Sequence, residues 1–538
     1  MRCRSLVIGS LFALSLAACA PAGNEVDDIE RTNGDEKAFT SAHATLMTFT
    51  FDGELIAPWQ SNKTKLIKTQ LFYLVGQLNE HHSVARLDRA VISNVKTGDA
   101  ENGWMKVSYT VEVPVAWGSK TELPEDFDIT LPRRIGPQSL TNFTNAYGAS
   151  CSDGGHAISR ENFWYHFRPA ASGCAFGPTD VATTSADVAV SAANTSGKYP
   201  EYDKVWSDGA LNVVAVFGKY DDYATSQSDA GIAAYNQFIA AVRSGIGAEL
   251  TTSPADLPVD PGVSAADVTF SGLVDGRQVN ITALLIDSPK VAKPSFDTRY
   301  GDLTKKADLI MYNGHAGLGA NVQALANRGQ IVKGQYRIFF VNGCDTLAYL
   351  DETMAKRVAA KNSDDPKGTK YLDTLVNAMP AYFSEMPEAS MALIDALGNP
   401  ESPKTFEAIF AGIDADQVVV GTGEEDNVFL PAAESFDGIA IENVLEKGQS
   451  HAFETPMLAP GTYKVKLRQN GSAGGDVDLY VGLGYAPTLE HYDFRPYLNG
   501  SNEDVTVTLG APSKLYVMTH AYEGSSVESN AYKLSISP

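Results

Sequence analysis

The chain has 538 residues, of which 65 are Asp or Glu and 42 are Lys or Arg, so its formal net charge is -23. Such an excess of carboxylates repels phosphate backbones, which proteins bind through Lys and Arg, and this excludes nucleic acid as an expected partner. The hydrophobic fraction of 44% is ordinary for globular cores, and the length is sufficient for several domains.

The N-terminus has the pattern of a secretory signal. Arg2 and Arg4 precede an apolar run over 6–16, and two alanines stand directly before Cys19. The run is shorter than the roughly 20 apolar residues that a transmembrane helix needs. A cleaved signal peptide over 1–18 is therefore favoured over a retained membrane span.

The residues around the predicted cleavage site, Leu16-Ala17-Ala18-Cys19, resemble the lipobox of bacterial lipoproteins. The resemblance implies that Cys19 carries palmitate or a similar acyl chain, and that this lipid is the only membrane contact. Ala20 is not the aspartate associated with inner-membrane retention, which favours the outer membrane. The alternative is an ordinary secretory signal with an incidental cysteine.

After the signal, residues 19–37 are rich in Asp, Glu, Asn and Gly and poor in large apolar side chains, which predicts a flexible acidic tether. Residues 38–185 then predict an α+β domain. Alternating patterns over 44–51 and 105–115 predict strands, and apolar residues between them repeat on one face of a helix. That face consists of Ile67, Leu71, Leu74 and Leu78.

Export places the remaining cysteines in an oxidising compartment, where neighbouring thiols usually pair. Cys151 and Cys174 are close in sequence, so a disulfide is expected between them. A two-Cys, two-His zinc site with His156 and His166 is the alternative, but the spacing lacks the short pairs typical of such sites. Cys344 is then left over, and an unpaired cysteine in an exported protein is a candidate reactive thiol.

Residues 200–425 alternate strands with helices, which is typical of a mostly parallel α/β sheet covered on both faces. The apolar run 211–217 predicts a strand, and Asp275-Gly276 predicts the turn of a hairpin. The runs 308–312 and 336–341 predict two buried strands joined by a right-handed crossover, and hence neighbours in one sheet. Helices are predicted over 229–242, 321–327, 348–360 and 371–383.

Two candidate catalytic residues follow these buried strands, in Tyr312-Asn313-Gly314-His315 and Val341-Asn342-Gly343-Cys344. Ligands of open α/β sheets bind outside the carboxyl ends of the strands, so both side chains are expected at one crevice. A cysteine nucleophile needs a base and backbone N–H donors for the oxyanion, which a histidine and Gly-containing turns provide. Asp345 is placed to cap the next helix, whose N-terminus would lower the thiol pKa. The alternative is a small buried cysteine and a structural histidine.

The order of these elements, a strand with His and Gly, a helix, then a strand with Gly and Cys, resembles the caspase-like cysteine peptidases, and the histidine motif resembles gingipains in particular. The resemblance implies a three-layer caspase-like domain in which His315 is the general acid and base and Cys344 the nucleophile. It also implies an oxyanion hole of the N–H groups of Ala316, Gly317 and Cys344. The family usually has glycine directly after the histidine, where this chain has Ala316.

Residues 427–538 have short alternating segments between Gly, Pro and Asn turns, which predicts an all-β sandwich. Gly-Asp-Val-Asp-Leu-Tyr at 475–480, Tyr-Asp-Phe-Arg-Pro-Tyr at 492–497 and Asn-Gly-Ser-Asn-Glu at 499–503 resemble the bacterial pre-peptidase C-terminal domain. That resemblance implies a sandwich of the type that accompanies secreted peptidases. Asp476 and Asp478 either offer oxygen ligands to Ca²⁺ or only hold turns.

Together these patterns predict a multidomain, envelope-anchored cysteine endopeptidase that hydrolyses protein or peptide substrates and requires no cofactor. The alternative is a non-catalytic lipoprotein in which the caspase-like domain is a scaffold and the sandwich binds protein or polysaccharide. If the carboxylates of the loop 421–426 face the crevice, a basic P1 residue is expected; otherwise the loop is a solvated linker into the last domain.

Overall fold

The computed structural model describes residues 30–31, 38–59, 62–100, 103–154, 157–245, 250–471, 475–510, 512–522, 525 and 527–538. The predicted signal peptide, Cys19 and most of the predicted tether lie outside the described residues, as does His156. In the described ranges no helix is long and apolar enough to cross a membrane.

The N-terminal part is a seven-stranded antiparallel sheet with one long helix packed across it. The helix begins where Asn62 Oδ1 accepts a hydrogen bond from Lys65 N at 2.9 Å, and its predicted apolar face is buried. The predicted strands 44–51 and 105–115 match two long strands. In chain order the elements are β1 (Glu30–Arg31), β2 (Thr40–Ser41), β3 (Thr45–Pro58), α1 (Lys63–Asn79), β4 (Val84–Ala85), β5 (Val91–Ala100), β6 (Trp104–Trp117), β7 (Asp126–Pro132), α2 (Pro137–Tyr147), α3 (Phe163–His166) and β8 (Val181–Val190).

Strand β1 falls inside the predicted flexible tether. Its residues Glu30 and Arg31 pair with Ile92 and Val91 of β5 in antiparallel fashion. The prediction of a flexible tether is therefore wrong at these two positions, because the edge of a sheet offers unpaired backbone groups to an extended neighbour.

Cys151 and Cys174 form the predicted disulfide, with an S–S distance of 2.02 Å. The bond consumes both thiols, which excludes the alternative zinc site. His166 instead pairs with Asp153, with 2.9 Å between Nδ1 and Oδ2. Among the described residues Cys344 is the free cysteine.

The central part is a mixed nine-stranded sheet with five parallel strands in the middle. Its elements are α4 (Tyr202–Val205), β9 (Ala210–Gly218), α5 (Ala230–Gly245), β10 (Thr251–Ser253), β11 (Asp267–Val274), β12 (Arg277–Ile286), α6 (Pro294–Thr304), β13 (Leu309–Asn313), α7 (Ala320–Ala326), β14 (Arg337–Asn342), α8 (Thr353–Ala359), β15 (Leu372–Asn377), α9 (Met386–Gly398), α10 (Phe406–Phe410) and β16 (Val419–Thr422). The strand order is β10-β11-β12-β9-β13-β14-β15-β16-β2.

Several predicted elements of this part are confirmed. Strands β13 and β14 are parallel neighbours, with Asn313 opposite Asn342. The hairpin of β11 and β12 turns at Asp275 and Gly276, whose φ angles of 48° and 76° are the positive values that a type I′ turn requires. Helices α5 and α7 match two of the predicted helices.

The predicted helix over 371–383 is wrong, because its first half is strand β15. Asp373 in this strand is buried and accepts a hydrogen bond from Asn427 Nδ2 at 2.7 Å and another from Tyr336 Oη. Pro380 follows closely and disfavours a helical residue before it. The predicted helix over 348–360 is also shorter than expected, since a 3-10 turn at Thr346–Tyr349 precedes α8.

The sheet is the middle of three layers. Helices α5, α9 and α10 cover one face, while α6, α7 and α8 cover the other and share one continuous apolar core with the N-terminal part. Strand β2 also joins the central sheet, where Ser41 pairs with Val420. The predicted 38–185 and 200–425 domains are thus packed through a common core.

The C-terminal part is a two-sheet β-sandwich around its own core, as predicted. One sheet has the order β17-β23-β19-β21 and the other β18-β22-β20, where the strands are β17 (Ile439–Glu446), β18 (Ser450–Glu454), β19 (Gly461–Gln469), β20 (Val477–Leu483), β21 (Glu503–Leu509), β22 (Leu515–Ala521) and β23 (Ser529–Ser537). The described residues of this part form no helix.

Candidate functional site

The loops after β9, β13, β14 and β15 meet at the carboxyl edge of the central sheet. His315 and Cys344 lie in two adjacent loops, each two residues beyond the last residue of its strand. The two strand ends are in register, so the two loops leave the sheet side by side. The parallel topology itself therefore brings the candidate base and nucleophile to one edge.

Below these loops, buried amides join the three strand ends. Asn342 Nδ2 donates to Asn313 Oδ1, and Asn377 Nδ2 donates to Asn342 Oδ1, both at 2.9 Å. All three side chains are completely buried. Hydrogen-bonded amides fix the register of β13, β14 and β15, because a slip of one strand would break these bonds between buried polar groups.

The sequence contains a repeated pattern that indicates this amide ladder and that prediction of the strands alone does not use. Each of three buried strands ends in an Asn that is followed by Gly or Ala, at Asn313, Asn342 and Asn377. The third occurrence was hidden because its strand was predicted as a helix. A repeated polar residue at one register position of neighbouring strands predicts side chains that meet.

The His315 backbone is held by its own loop. Its carbonyl oxygen accepts hydrogen bonds from Tyr312 Oη at 2.9 Å and from Asn321 Nδ2 at 2.8 Å. Its ring lies between two aromatic rings, with centroids 4.7 Å from Tyr220 and 5.0 Å from Phe383. Burial lowers the imidazole pKa, opposed by a hydrogen bond to the Tyr220 backbone and by nearby carboxylates. The neutral ring favoured at physiological pH is the form that accepts a proton.

The turn after His315 accommodates the alanine that departs from the family pattern. The left-handed residues are Gly317, Leu318 and Gly319, with φ angles of 60°, 50° and 91°, whereas Ala316 is not left-handed. The position that needs glycine is therefore Gly317, and the Cβ of Ala316 causes no backbone strain. Ala316 is only 4% exposed, and within the described chain its N–H reaches no backbone acceptor. Buried N–H groups without a partner are rare, so this donor is a candidate for a ligand oxygen.

The two loops touch at Gly343. A Cβ at this position would lie 2.6 Å from the Gly314 carbonyl oxygen and 3.3 Å from Ala316 N. The first distance is shorter than real Cβ contacts, so a larger residue would force the loops apart. Gly343 thus allows the Cys344 loop to lie directly against the backbone on both sides of His315.

The Cys344 thiol is oriented by the loop after β15. Its Sγ donates to the Ala381 carbonyl oxygen at 3.8 Å. Burial raises the pKa of the thiol to about 11, and the negative charge of Asp345 adds to the effect. The prediction that Asp345 caps a helix and thereby lowers this pKa is wrong. Asp345 has a left-handed φ of 50° before a short 3-10 turn, and its side chain makes no capping hydrogen bond.

The carboxylates of the loop 421–426 do not face the crevice, so the condition for predicting a basic P1 residue from this loop is not met. Strand β16 runs antiparallel to β15, with Thr422 opposite Thr374, and leaves the sheet at the amino edge. Glu424 is buried there and accepts hydrogen bonds from Thr40 at 2.6 Å and Thr195 at 2.9 Å. The carboxylates that act on His315 are instead Asp221, Asp229 and Asp222.

In the C-terminal sandwich Asp476 and Asp478 have partners within the chain. Asp476 Oδ1 accepts from Gly500 N at 2.9 Å, and Asp478 Oδ2 accepts from Arg495 Nη2 at 2.9 Å. Both contacts hold turns, and the guanidinium neutralises Asp478. In the described part of the chain no group of three or more His, Cys, Asp or Glu side chains is arranged to hold a metal ion.

Comparisons with known proteins find relatives that match short stretches of the chain. No protein-family model matches the chain. A 95-residue stretch is 38% identical to the virulence metalloprotease of Vibrio anguillarum, covering 16% of this chain and 15% of that protein. A 59-residue stretch is 39% identical to the alkaline serine exoprotease A of Vibrio alginolyticus, covering 10% of this chain and 11% of that protein. The chain is thus similar to two proteases over short segments and spans 15% and 11% of their lengths.

Among the solved structures with local likeness, three each cover about a fifth of the chain. They include the pre-peptidase C-terminal domain of a Bacillus anthracis collagenase (15% identical, 20% of this chain and 98% of that one, TM-score 0.16). The others are the vEP C-ter 100 solution structure (26% identical, 20% and 98%, TM-score 0.16) and PliG, a periplasmic lysozyme inhibitor of Aeromonas hydrophila (14% identical, 20% and 91%, TM-score 0.16). None of these names is that of a cysteine peptidase.

Proposed function

We propose that this chain is an exported cysteine endopeptidase in which Cys344 is the nucleophile and His315 the general acid and base. The observation that carries the proposal is the direct contact of their two loops, where Gly343 lies against Gly314 and Ala316. The amide ladder below fixes both loops to neighbouring strands. The local identity to two proteases supports a protease-related role.

Before attack the electrostatics keep both groups of the pair neutral, because burial raises the pKa of the Cys344 thiol and lowers that of the His315 imidazole. A thiol pKa near 11 leaves little thiolate at neutral pH, so the neutral His315 ring must accept the thiol proton. Cys344 Sγ then attacks the substrate carbonyl carbon, and the ring returns the proton to the leaving amine. Water hydrolyses the resulting thioester. The N–H groups of Ala316 and Cys344 are the donors proposed for the oxyanion, with Gly317 beside them.

Active-site labelling tests this assignment. The wild-type protein should react with a peptidyl acyloxymethyl ketone, and Cys344→Ala should lose the reaction completely. His315→Ala should lose at least about 100-fold in labelling rate, within the range of general-base contributions. His82→Ala, which changes an exposed histidine elsewhere, is the control. Equal labelling of wild type and Cys344→Ala would refute the proposal.

The charge at the crevice suggests a substrate preference within this function. Asp221 and Asp222 follow β9 and act on the imidazole from the same edge of the sheet. A Lys or Arg side chain of a peptide would be attracted there, and an acidic one repelled. Fluorogenic peptides that differ only in Arg, Asn or Asp at P1 test this, with the highest kcat/KM expected for Arg.

One observation favours the alternative of a non-catalytic scaffold that binds protein or polysaccharide. The thiol hydrogen bond goes to Ala381 O, and burial keeps the thiol protonated. If the wild type and Cys344→Ala bind a peptide with equal affinity and neither of them cleaves it, the scaffold function holds.

The location is part of the same proposal. The signal sequence and lipobox support attachment through acylated Cys19 at the outer membrane, where the central site would meet protein substrates outside the cytoplasm. Labelling with an alkyne fatty acid should be lost in Cys19→Ser, and the protein should move from the outer-membrane to the soluble fraction. Persistence of both label and membrane fraction would contradict the anchor.

A further inference from the structure

The residue after Cys344 is held by the N-terminal part of the chain. Asp345 is completely buried, and its carboxylate accepts hydrogen bonds from Asn79 Nδ2 at 2.8 Å and from Tyr165 Oη at 2.5 Å. Asn79 is the last residue of α1, and Tyr165 lies in the short helix α3. Both donors therefore come from outside the central sheet that carries Cys344.

A buried carboxylate needs such donors, because an unpaired charge away from water is costly. Burial raises the pKa of Asp345 to about 6, while Tyr165, Asn79 and the Arg168 guanidinium lower it. Since this value is below 7, the carboxylate is charged at neutral pH. The other titratable groups around it are the Cys344 thiol and the Tyr349 hydroxyl.

The same carboxylate acts on the nucleophile. Its charge is the second cause, after burial, of the raised thiol pKa of Cys344. Its backbone N–H also ties the loop to Met379 O at 3.3 Å. Because Asp345 is left-handed, the loop conformation depends on a residue type that tolerates positive φ, and Asp and Asn are the side chains that do so best.

We propose that Asn79 and Tyr165 are positioning residues, which hold the Gly343–Cys344–Asp345 turn through the Asp345 carboxylate and thereby set the reactivity of Cys344 from the N-terminal domain. The N-terminal domain then helps to set the geometry of the candidate site. The effect on catalysis rests on the proposed peptidase function. The effect on the reactivity of the Cys344 thiol does not rest on it, because alkylation by a small electrophile measures that reactivity directly.

The test measures the alkylation rate of Cys344 by iodoacetamide from pH 6 to 11 in the full chain, by mass spectrometry of the Cys344 peptide. Asp345→Asn keeps the shape and the left-handed conformation but removes the charge. It should shift the midpoint of the profile to lower pH and raise the rate at pH 8 about threefold to tenfold. Tyr165→Phe removes one donor and should raise the rate at pH 8 about threefold, because the turn loosens and the thiol loses part of the burial that keeps it protonated.

The chain offers a matched control. Tyr147 Oη donates to Asp180 Oδ2 at 2.5 Å in the same domain, so Tyr147→Phe removes an equivalent bond remote from Cys344. It should leave the Cys344 profile unchanged. Asn79→Ala, at a partly exposed helix end, is a second variant that tests the same link if Tyr165→Phe does not fold.

The outcomes separate this inference from the proposed function. Equal profiles for Tyr165→Phe and Tyr147→Phe, or an unchanged profile for Asp345→Asn, overturn the positioning role even if the wild type cleaves peptides. Shifted profiles in a protein without peptidase activity support the positioning role and refute the proposed function. If both hold, Tyr165→Phe should also lower kcat with little change in KM, which a purely structural loss would not do.

Discussion

The two ends of the central sheet bury polar side chains in opposite ways. At the amino end the buried groups are ionisable carboxyls, and burial raises the pKa of Asp308 and Glu424 to about 8 and that of Asp373 to about 7. At the carboxyl end the groups that join the strands are neutral amides, His315 and Cys344 lie above them with partial exposure, and Asp345 beside Cys344 is a buried carboxylate.

The difference shows that a strongly shifted pKa does not by itself mark a functional site. The carboxyls of the amino end are enclosed by partners from this chain, such as Thr40 and Thr195 around Glu424. At the carboxyl end, uncharged amides support the loops without adding a field to the imidazole or the thiol. The neutral ladder thus gives rigidity where chemistry is proposed, while at the amino end Glu424 bonds Thr40 of β2 and Thr195 after β8 to the end of β16.

The largest expected effect comes from breaking the amide ladder with Asn342→Leu. Leucine removes both hydrogen bonds of the ladder, each of which contributes about 0.5 to 1.5 kcal/mol, and leaves Asn313 Oδ1 and Asn377 Nδ2 only their longer 3.2 Å bonds to Ser390 and Gln417. Its side chain also misfits a site shaped for a fully buried amide, which costs about 1 to 3 kcal/mol more. We expect a loss of about 3 kcal/mol or more in the free energy of unfolding, measured from urea midpoints. Asn142→Leu, at an exposed helix position, should change it by less than about 0.5 kcal/mol. Similar losses in both variants would show that the ladder does not hold the strand ends.

A second variant separates loop contact from stability. In Gly343→Ala the added methyl meets the Gly314 carbonyl oxygen, so the Cys344 loop must move away from the His315 loop. We expect labelling by the peptidyl electrophile to fall about 100-fold, since displacements near 1 Å at a reacting pair have costs of this size. Gly398→Ala, where a Cβ meets nothing within 4 Å, is the control. Full labelling of Gly343→Ala would mean that the loop contact is not required.

Sequence patterns predicted the carboxyl end better than the amino end for a physical reason. Strands β13 and β14 are continuous apolar runs that end in Asn-Gly, so local pattern defines both the strand and its end. Strand β15 was missed because Asp373 interrupts its apolar pattern. The partner of that carboxylate, Asn427, is 54 residues away and is supplied only by the tertiary fold.

The same limit applies to the candidate site. The positions of His315 and Cys344 after buried strands could be read locally, whereas the role of Asp345 could not. Its donors Asn79 and Tyr165 are 266 and 180 residues away in sequence. No periodicity links residues at such distances, so the helix-capping interpretation was the natural one and was wrong.

The pH dependence of stability tests the contrast between the two ends of the sheet through Glu424 at the amino end, with a smaller expected effect. The folded-state pKa of Glu424 is raised above its unfolded value of 4.5, so the folded state binds the extra proton between about pH 4.5 and 8. Stability from this group is therefore present at low pH and is lost as pH rises through that window. Glu424→Gln keeps the acceptor for Thr40 and Thr195 without a charge. We expect it to raise the free energy of unfolding by about 1 kcal/mol or more at pH 7.5 and by less at pH 5.

Glu425→Gln, at the partly exposed neighbour, is the matched control and should change stability equally little at both pH values. If Glu424→Gln has the same effect at pH 5 and pH 7.5, its carboxyl does not titrate in this window. The amino end would then differ from the carboxyl end only in residue type.

The smallest effect is expected in the C-terminal sandwich, which lies outside the central sheet and serves as a reference for both of its ends. A calcium ion at Asp478 would have to displace Arg495, which also lies 3.9 Å from the ring centroid of Tyr497 and 4.9 Å from that of Tyr480. Asp476 already accepts from Gly500 N. We therefore expect millimolar Ca²⁺ or EDTA to shift the thermal midpoint of the sandwich by less than about 1 °C in calorimetry, because a ligand stabilises only in proportion to its occupancy of the folded state. A larger shift with Ca²⁺ than with Mg²⁺, lost in Asp478→Asn, would show that the cation outcompetes the guanidinium and that this carboxylate pair is a ligand site.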